Sequence, residues 1–286
     1  MPALPQAYLC IYGVQMLIDQ IDLAEKPATD KTMFFAKQNV KRVLICLHGF
    51  ETRNIHDCVE FKKYFDDVNS NPSYELDLFT FYEWGEPKSY KHKMFYEKCR
   101  AEVQKYYDKG YVVYILAYSF SASIGAKLCV EFPKIEKLVL VAPTTYLIRT
   151  KLLINYLKIA CKQVKFKLKY KEKANKVLIR TKNNGLIKLF FAMTGTILSY
   201  RKYLKKLDGK VLMIKGSEDE FSINNTFSYV SYKAKNAVTI SKVYPGYNHI
   251  MFMERDKAIC AYKDVLYFIF HIENLDSDIL EENDQK

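Results

Sequence analysis

The sequence predicts an α/β protein: a mostly parallel central sheet with helices on both faces, interrupted by a cap insertion. Three observations carry that expectation. Continuous apolar runs at 43–47 and 111–116 have the length of single strands, and 136–141, apolar from Leu138 on, reads as another buried strand. A strand apolar all round belongs to a sheet covered on both sides. Segments with apolar residues at helical spacing separate these runs, which is the alternation of βαβ units. Finally, one stretch between two strands differs in charge from the rest of the chain, as an insertion would.

In chain order, 7–41 looks like two modest strands and a connector. The run 43–47 follows and ends at His48-Gly49-Phe50. Residues 57–68 form an amphipathic helix, and 74–82 alternates like a strand. A longer helix over 90–107 is closed by Gly110. The strand from Tyr111 runs out at Ser119, and 122–133 returns as a helix that stops at Pro133. The strand 136–141 ends at Ala142-Pro143, strands at 210–214 and 238–244 follow, and 258–270 is a closing amphipathic helix. These elements divide the chain into a first part of the core (1–145), an insertion (146–206), a second part of the core (207–275) and an acidic, aromatic-poor tail (276–286) expected to fray.

Composition narrows the function classes. A chain of 286 residues, 49% hydrophobic, holds one large domain or a domain with an insertion. The N-terminus lacks a basic leader with a cleavage site, and 8–18 is too short to span a bilayer, so a cytoplasmic protein starting near Met1 is expected. Seven scattered cysteines without a Cys-x-x-Cys pair suggest neither a disulfide framework nor a zinc site. No metal and no cofactor is expected.

The charge is uneven. Residues 146–206 carry 17 Lys and Arg against one acid, Glu172, a balance of +16 in a chain whose total is +12. Within that stretch 164–171 alternates between apolar residues and lysine, which argues a strand with one charged face, and 176–181 is its candidate hairpin partner. Residues 186–198 read as an apolar helix. An apolar-lined cap suits a hydrophobic substrate, and its lysines would face an anionic head group or an acidic membrane surface, or else only solvent. Despite 23 tyrosines, no nucleic-acid module is visible, and no nucleic-acid partner is expected.

In a parallel sheet functional residues gather at the carboxyl ends of the strands. That rule selects His48-Gly49-Phe50, Ser119, Asp219 and His249. A serine hydroxyl needs a base to become a nucleophile, and the base needs an acid to fix its tautomer. His249 lies in a glycine-bearing loop before the last helix. Asp219 follows the strand 210–214, with Glu218 and Glu220 beside it leaving the identity of the acid open.

The stretch Ala117-Tyr118-Ser119-Phe120-Ser121 resembles the nucleophile elbow of the α/β-hydrolases, usually Gly-x-Ser-x-Gly, with small residues in place of both glycines. The order Ser119, Asp219, His249 is also that of the family, and the resemblance spans 43–270 apart from the insertion. It implies a Ser119–His249–Asp219 triad and an oxyanion hole made by the backbone N–H groups of Phe50 and Phe120. His48, Gly49 and Tyr118 are the candidates for substrate contact. The function it implies is hydrolysis of a carboxylic ester through an acyl-enzyme, the substrate a hydrophobic acyl ester such as a lysophospholipid, a monoacylglycerol or an acyl thioester. The missing glycines motivate one alternative, a catalytically degenerate α/β-hydrolase acting as a binding or membrane-surface scaffold.

Overall fold

Six parallel strands lie side by side in the order β2-β1-β3-β4-β5-β6 in a computed structural model that describes residues 40–50, 56–83, 86–145, 186–219, 221–222 and 225–283. The strands are β1 (Arg42–Leu47), β2 (Tyr74–Phe79), β3 (Val112–Tyr118), β4 (Lys137–Val141), β5 (Asp208–Gly216) and β6 (Asn236–Tyr244). The helices are α1 (Val59–Val68), α2 (His92–Asp108), α3 (Ala122–Glu131), α4 (Leu186–Tyr200), α5 (Thr226–Lys233) and α6 (Arg255–Asn283). The strands expected over 7–41 and the alternating hairpin of 164–181 lie outside the described residues.

The pleat explains the unbroken apolar runs. In β1, Val43, Ile45 and Leu47 enter one core with α2, α3 and α4, while Leu44 and Cys46 enter a second with α1 and α6. In β3, Ile115 and Ala117 face the first core, and Leu116 and Tyr118 the second. Each strand therefore has an apolar demand on both faces.

Three elements differ from the sequence expectation. Helix α5, between the strands expected at 210–214 and 238–244, has no counterpart among the elements drawn from sequence, because its Ser- and Tyr-rich sequence has a weak apolar stripe. Helix α6 runs on to Asn283 rather than ending at Phe270, since extending an established helix adds one hydrogen bond per residue fixed; the tail drawn from Asp276 thus shares its backbone with that helix. The third concerns 186–206, drawn as part of the cap. Leu189, Ile197 and Leu204 from that stretch are buried in the first core, against α2 and α3. The Lys206 boundary marks where charge changes, not where the core ends. Among the described residues no helix is long and apolar enough to cross a membrane.

One buried acid gives the fold a pH signature. Burial on β2 pushes the Asp77 carboxyl up to about 6, and neighbouring Glu102 adds to the effect while Lys105 opposes it. A carboxyl with a raised folded-state value stabilises fully below its unfolded value near 3.8, and that contribution is lost as pH rises through about 6. The Asp77→Asn protein should therefore be the more stable one at neutral pH, by about 1 kcal/mol after allowing for partial exposure. Urea unfolding on either side of this interval would show the difference above it and little below it.

Candidate active site

Strand register assembles the site. Strand β1 has β2 on one side and β3 on the other, so the order in which the parallel strands are added reverses between β1 and β3, where α/β sheets open a crevice at their carboxyl ends. Leu47 pairs with Ala117, which sets loop 48–50 beside Ser119. Tyr118 pairs with Val141, which brings 142–145 alongside. Gly216 pairs with Tyr244, and the loops beyond these two residues carry Asp219 and His249. A side chain at Gly216 would meet the Tyr247 carbonyl oxygen at 1.9 Å, so only glycine lets the two loops cross this closely.

Ser119 sits directly after β3 with φ at 56°, in the left-handed region. For a residue with a β-carbon that conformation is strained by roughly 1–3 kcal/mol, and such strain concentrates at functional sites. The only other non-glycine residue in that region among those described is Ala142, φ 47°, at the end of the neighbouring strand. The missing elbow glycines now have an account. Ser121 adopts ordinary helical angles, φ −67° and ψ −11°, so no glycine is needed there. Its hydroxyl lies 2.7 Å from the Tyr118 carbonyl and 3.1 Å from that of Leu47, tying the turn to β1. Ala117 faces Gly125 of α3, where an added β-carbon would stand 3.0 Å from its own. The close approach of helix to strand is thus provided by Gly125 rather than by residue 117.

The three expected polar residues meet. Ser119 Oγ is 3.0 Å from His249 Nε2, and His249 Nδ1 is 2.8 Å from Asp219 Oδ1. Asp219 Oδ1 also accepts the Phe221 and Ser222 backbone N–H groups, at 2.9 and 2.8 Å. The side chain is fully buried, whereas neighbouring Glu218 is exposed. Burial and hydrogen bonding single out Asp219; Glu220 lies outside the described residues. Asp219 Oδ2 is buried without a hydrogen-bond partner, so Oδ1 alone carries the directed bonds.

Loop 48–50 closes the other side. A β-carbon on Gly49 would stand 3.0 Å from that of Ser119, which fixes the loop directly against the elbow. The Phe50 side chain is exposed, while the Phe120 ring is buried against Phe81 and Phe95. The Phe120 amide opens a helical run, where the first N–H groups lack a carbonyl one turn behind.

His48 and Tyr118 stand elsewhere than a substrate contact requires. His48 is wholly buried: its Nε2 accepts the Phe81 N–H at 3.2 Å, which leaves Nδ1 to donate to the Gly49 carbonyl at 2.9 Å. Burial lowers its basicity well below the usual histidine value, so it is a neutral brace for the loop. Tyr118 is buried too, and its hydroxyl donates to the His249 carbonyl at 2.8 Å, anchoring the histidine loop. A pairing signal exists for neither in the sequence, because each bonds a backbone group more than 30 residues away.

The structure adds residues that motif reading passed over. Thr144 Oγ1 is 3.4 Å from Ser119 Oγ, and the Thr144 N–H donates to the Ser119 carbonyl at 3.2 Å. Ser222 Oγ donates to the Pro143 carbonyl, joining the acid loop to the same turn. The Phe221 ring lies 5.0 Å from the His249 ring. Asp57, which reads in sequence as a helix start, accepts the Gly49 N–H at 2.5 Å. Among the described residues no cluster of His, Cys, Asp and Glu could hold a metal ion.

Chemically, this is a hydroxyl on a strained turn, in hydrogen-bond reach of an imidazole whose other nitrogen faces a buried carboxylate. No protein-family model and no curated protein sequence matches the chain. Solved structures do. An esterase from Exiguobacterium antarcticum aligns at 12% identity with a TM-score of 0.56, covering 80% of this chain and 92% of that one. A structure described under two metagenome-derived lipolytic enzymes aligns at 10% identity and 0.55, covering 81% and 95%. A hydrolase from Oleispira antarctica aligns at 12% and 0.50, covering 79% and 91%. The chain has the α/β-hydrolase fold.

Proposed function

We propose that this α/β-hydrolase fold carries a serine hydrolase that cleaves carboxylic esters through an acyl-enzyme. The observation that supports the reading most is the unbroken line from Ser119 Oγ through His249 to Asp219, starting from a serine held at positive φ. Asp219 Oδ1, acceptor only, accepts a hydrogen bond from the Nδ1–H of His249, which fixes the tautomer and leaves Nε2 free to accept the Ser119 proton. Ser119 Oγ then attacks the ester carbonyl while the proton moves to Nε2. The carbonyl oxygen, now an anion, is held by the Phe50 and Phe120 amides, and collapse expels the alcohol with the proton from His249. Water, deprotonated by His249, releases the acyl group and restores Ser119. Loss of one such amide donor typically lowers turnover about 10²–10³-fold.

The substrate we favour is a hydrophobic acyl ester: a lysophospholipid, a monoacylglycerol or an acyl thioester. The apolar helix α4, with Phe191 exposed, and the lysine-rich stretch before it suit an acyl chain bearing or neighbouring negative charge. A panel of nitrophenyl esters from short to long chain, with and without anionic vesicles, tests this. Turnover that rises with chain length and with anionic vesicles is expected. No turnover on any ester would leave the fold as a binding scaffold.

A further inference from the structure

Asp57 is the second buried carboxylate of this region, and the reaction as described gives it no part. It lies at the entrance to α1, 7% exposed, and its Oδ2 accepts the Gly49 N–H. A β-carbon on Gly49 would stand 3.0 Å from that oxygen and 3.0 Å from the Ser119 β-carbon, so carboxylate, loop and elbow are in one layer. Asp57 is also near enough to His249 for the two charges to interact, and near His56 and the Tyr118 hydroxyl. Among the described residues, Tyr118 in turn interacts with Asp219 and Cys58, and the His48 ring lies 5.5 Å from that of His56.

A charge-assisted bond from a buried carboxylate to a backbone N–H is stronger and more directional than a neutral one. It therefore fixes the orientation of the His48–Gly49 peptide, from which loop 48–50 runs on to Phe50.

We propose that Asp57 is a positioning residue of the Ser119–His249 site: it locks Gly49, and with it loop 48–50, against Ser119. The inference rests on the serine-hydrolase reading. Burial raises the Asp57 carboxyl above its usual range, opposed by the Gly49 N–H and by His56 and His249, so it takes up a proton on acidification sooner than a surface aspartate does.

The test is the rate of fluorophosphonate labelling from about pH 5 to 9 for wild type, Asp57→Asn and Asp57→Ala. An asparagine can still present an oxygen to Gly49 but carries no charge. Labelling by this variant should be slowed about tenfold at neutral pH. The alanine variant, lacking the acceptor as well, should be slower again by about a further tenfold. A purely structural aspartate would lower the melting temperature and the labelled fraction but not the rate constant of the folded protein, and an unchanged rate constant in Asp57→Ala overturns the proposal. Wild type that fails to label overturns the serine-hydrolase reading itself, and the proposal with it. If neither variant folds, the Gly49 amide proton resonance of the wild type decides. It should move upfield as Asp57 is protonated on acidification. A resonance unmoved throughout would contradict the role.

Discussion

Replacing Ser119 by alanine should lower kcat for ester hydrolysis by about 10⁶-fold, the scale seen when a nucleophile that acts as a unit with its base is removed. The fold should survive, because among the described residues Ser119 Oγ hydrogen-bonds only His249 and Thr144, and the alanine keeps the β-carbon. A glycine at this position separates strain from chemistry. Relief of a left-handed β-carbon is worth about 1–2 kcal/mol, whereas the extra backbone entropy of glycine costs about 0.5–1 kcal/mol. Relief wins, so Ser119→Gly should be equally inactive yet as stable as wild type or slightly more so. Parallel ester assays and urea titrations check both halves.

The Asp219→Asn variant should lose about 10⁴-fold in kcat with a much smaller change in KM. The reason lies in how Oδ1 is used. Three N–H groups converge on it, from His249, Phe221 and Ser222, while Oδ2 is buried with no partner. An asparagine that keeps its oxygen toward the three donors must bury its NH₂ group unpartnered, at a cost of about 1–3 kcal/mol. Turned the other way, it faces donors with donors and pushes His249 toward the wrong tautomer. Neither orientation restores the charge that stabilises the imidazolium. Steady-state kinetics on the best ester of the panel would show the split between kcat and KM.

Much of this arrangement was legible in the sequence, for a specific reason. Strands buried on both faces write themselves as unbroken apolar runs, as 43–47 and 111–116 do, and their carboxyl ends then mark where polar residues count. Ser119, Asp219 and His249 were found by that rule, and the structure brings them within hydrogen-bond distance of one another. What stayed hidden depends on long-range backbone contacts. Asp57 looks like any helix-start aspartate until the Gly49 N–H is seen to point at it. His48 and Tyr118 sit in the right stretches, yet their polar atoms are used on Phe81, Gly49 and His249 backbone groups. The substituted elbow glycines looked like a defect because the motif records only local sequence. The space they normally provide comes here from Gly125 on the facing helix, and Ser121 turns its hydroxyl into a tie to β1. Charge misled in one respect: the lysines of 201–206 belong to a segment whose Leu204 is in the core.

The most direct measurement is mass spectrometry of the intact protein and its peptides after reaction with a fluorophosphonate. The account predicts one adduct per chain, located on Ser119, with none on the Ser119→Ala protein. An adduct on another residue, or labelling retained by the Ser119→Ala protein, would contradict it.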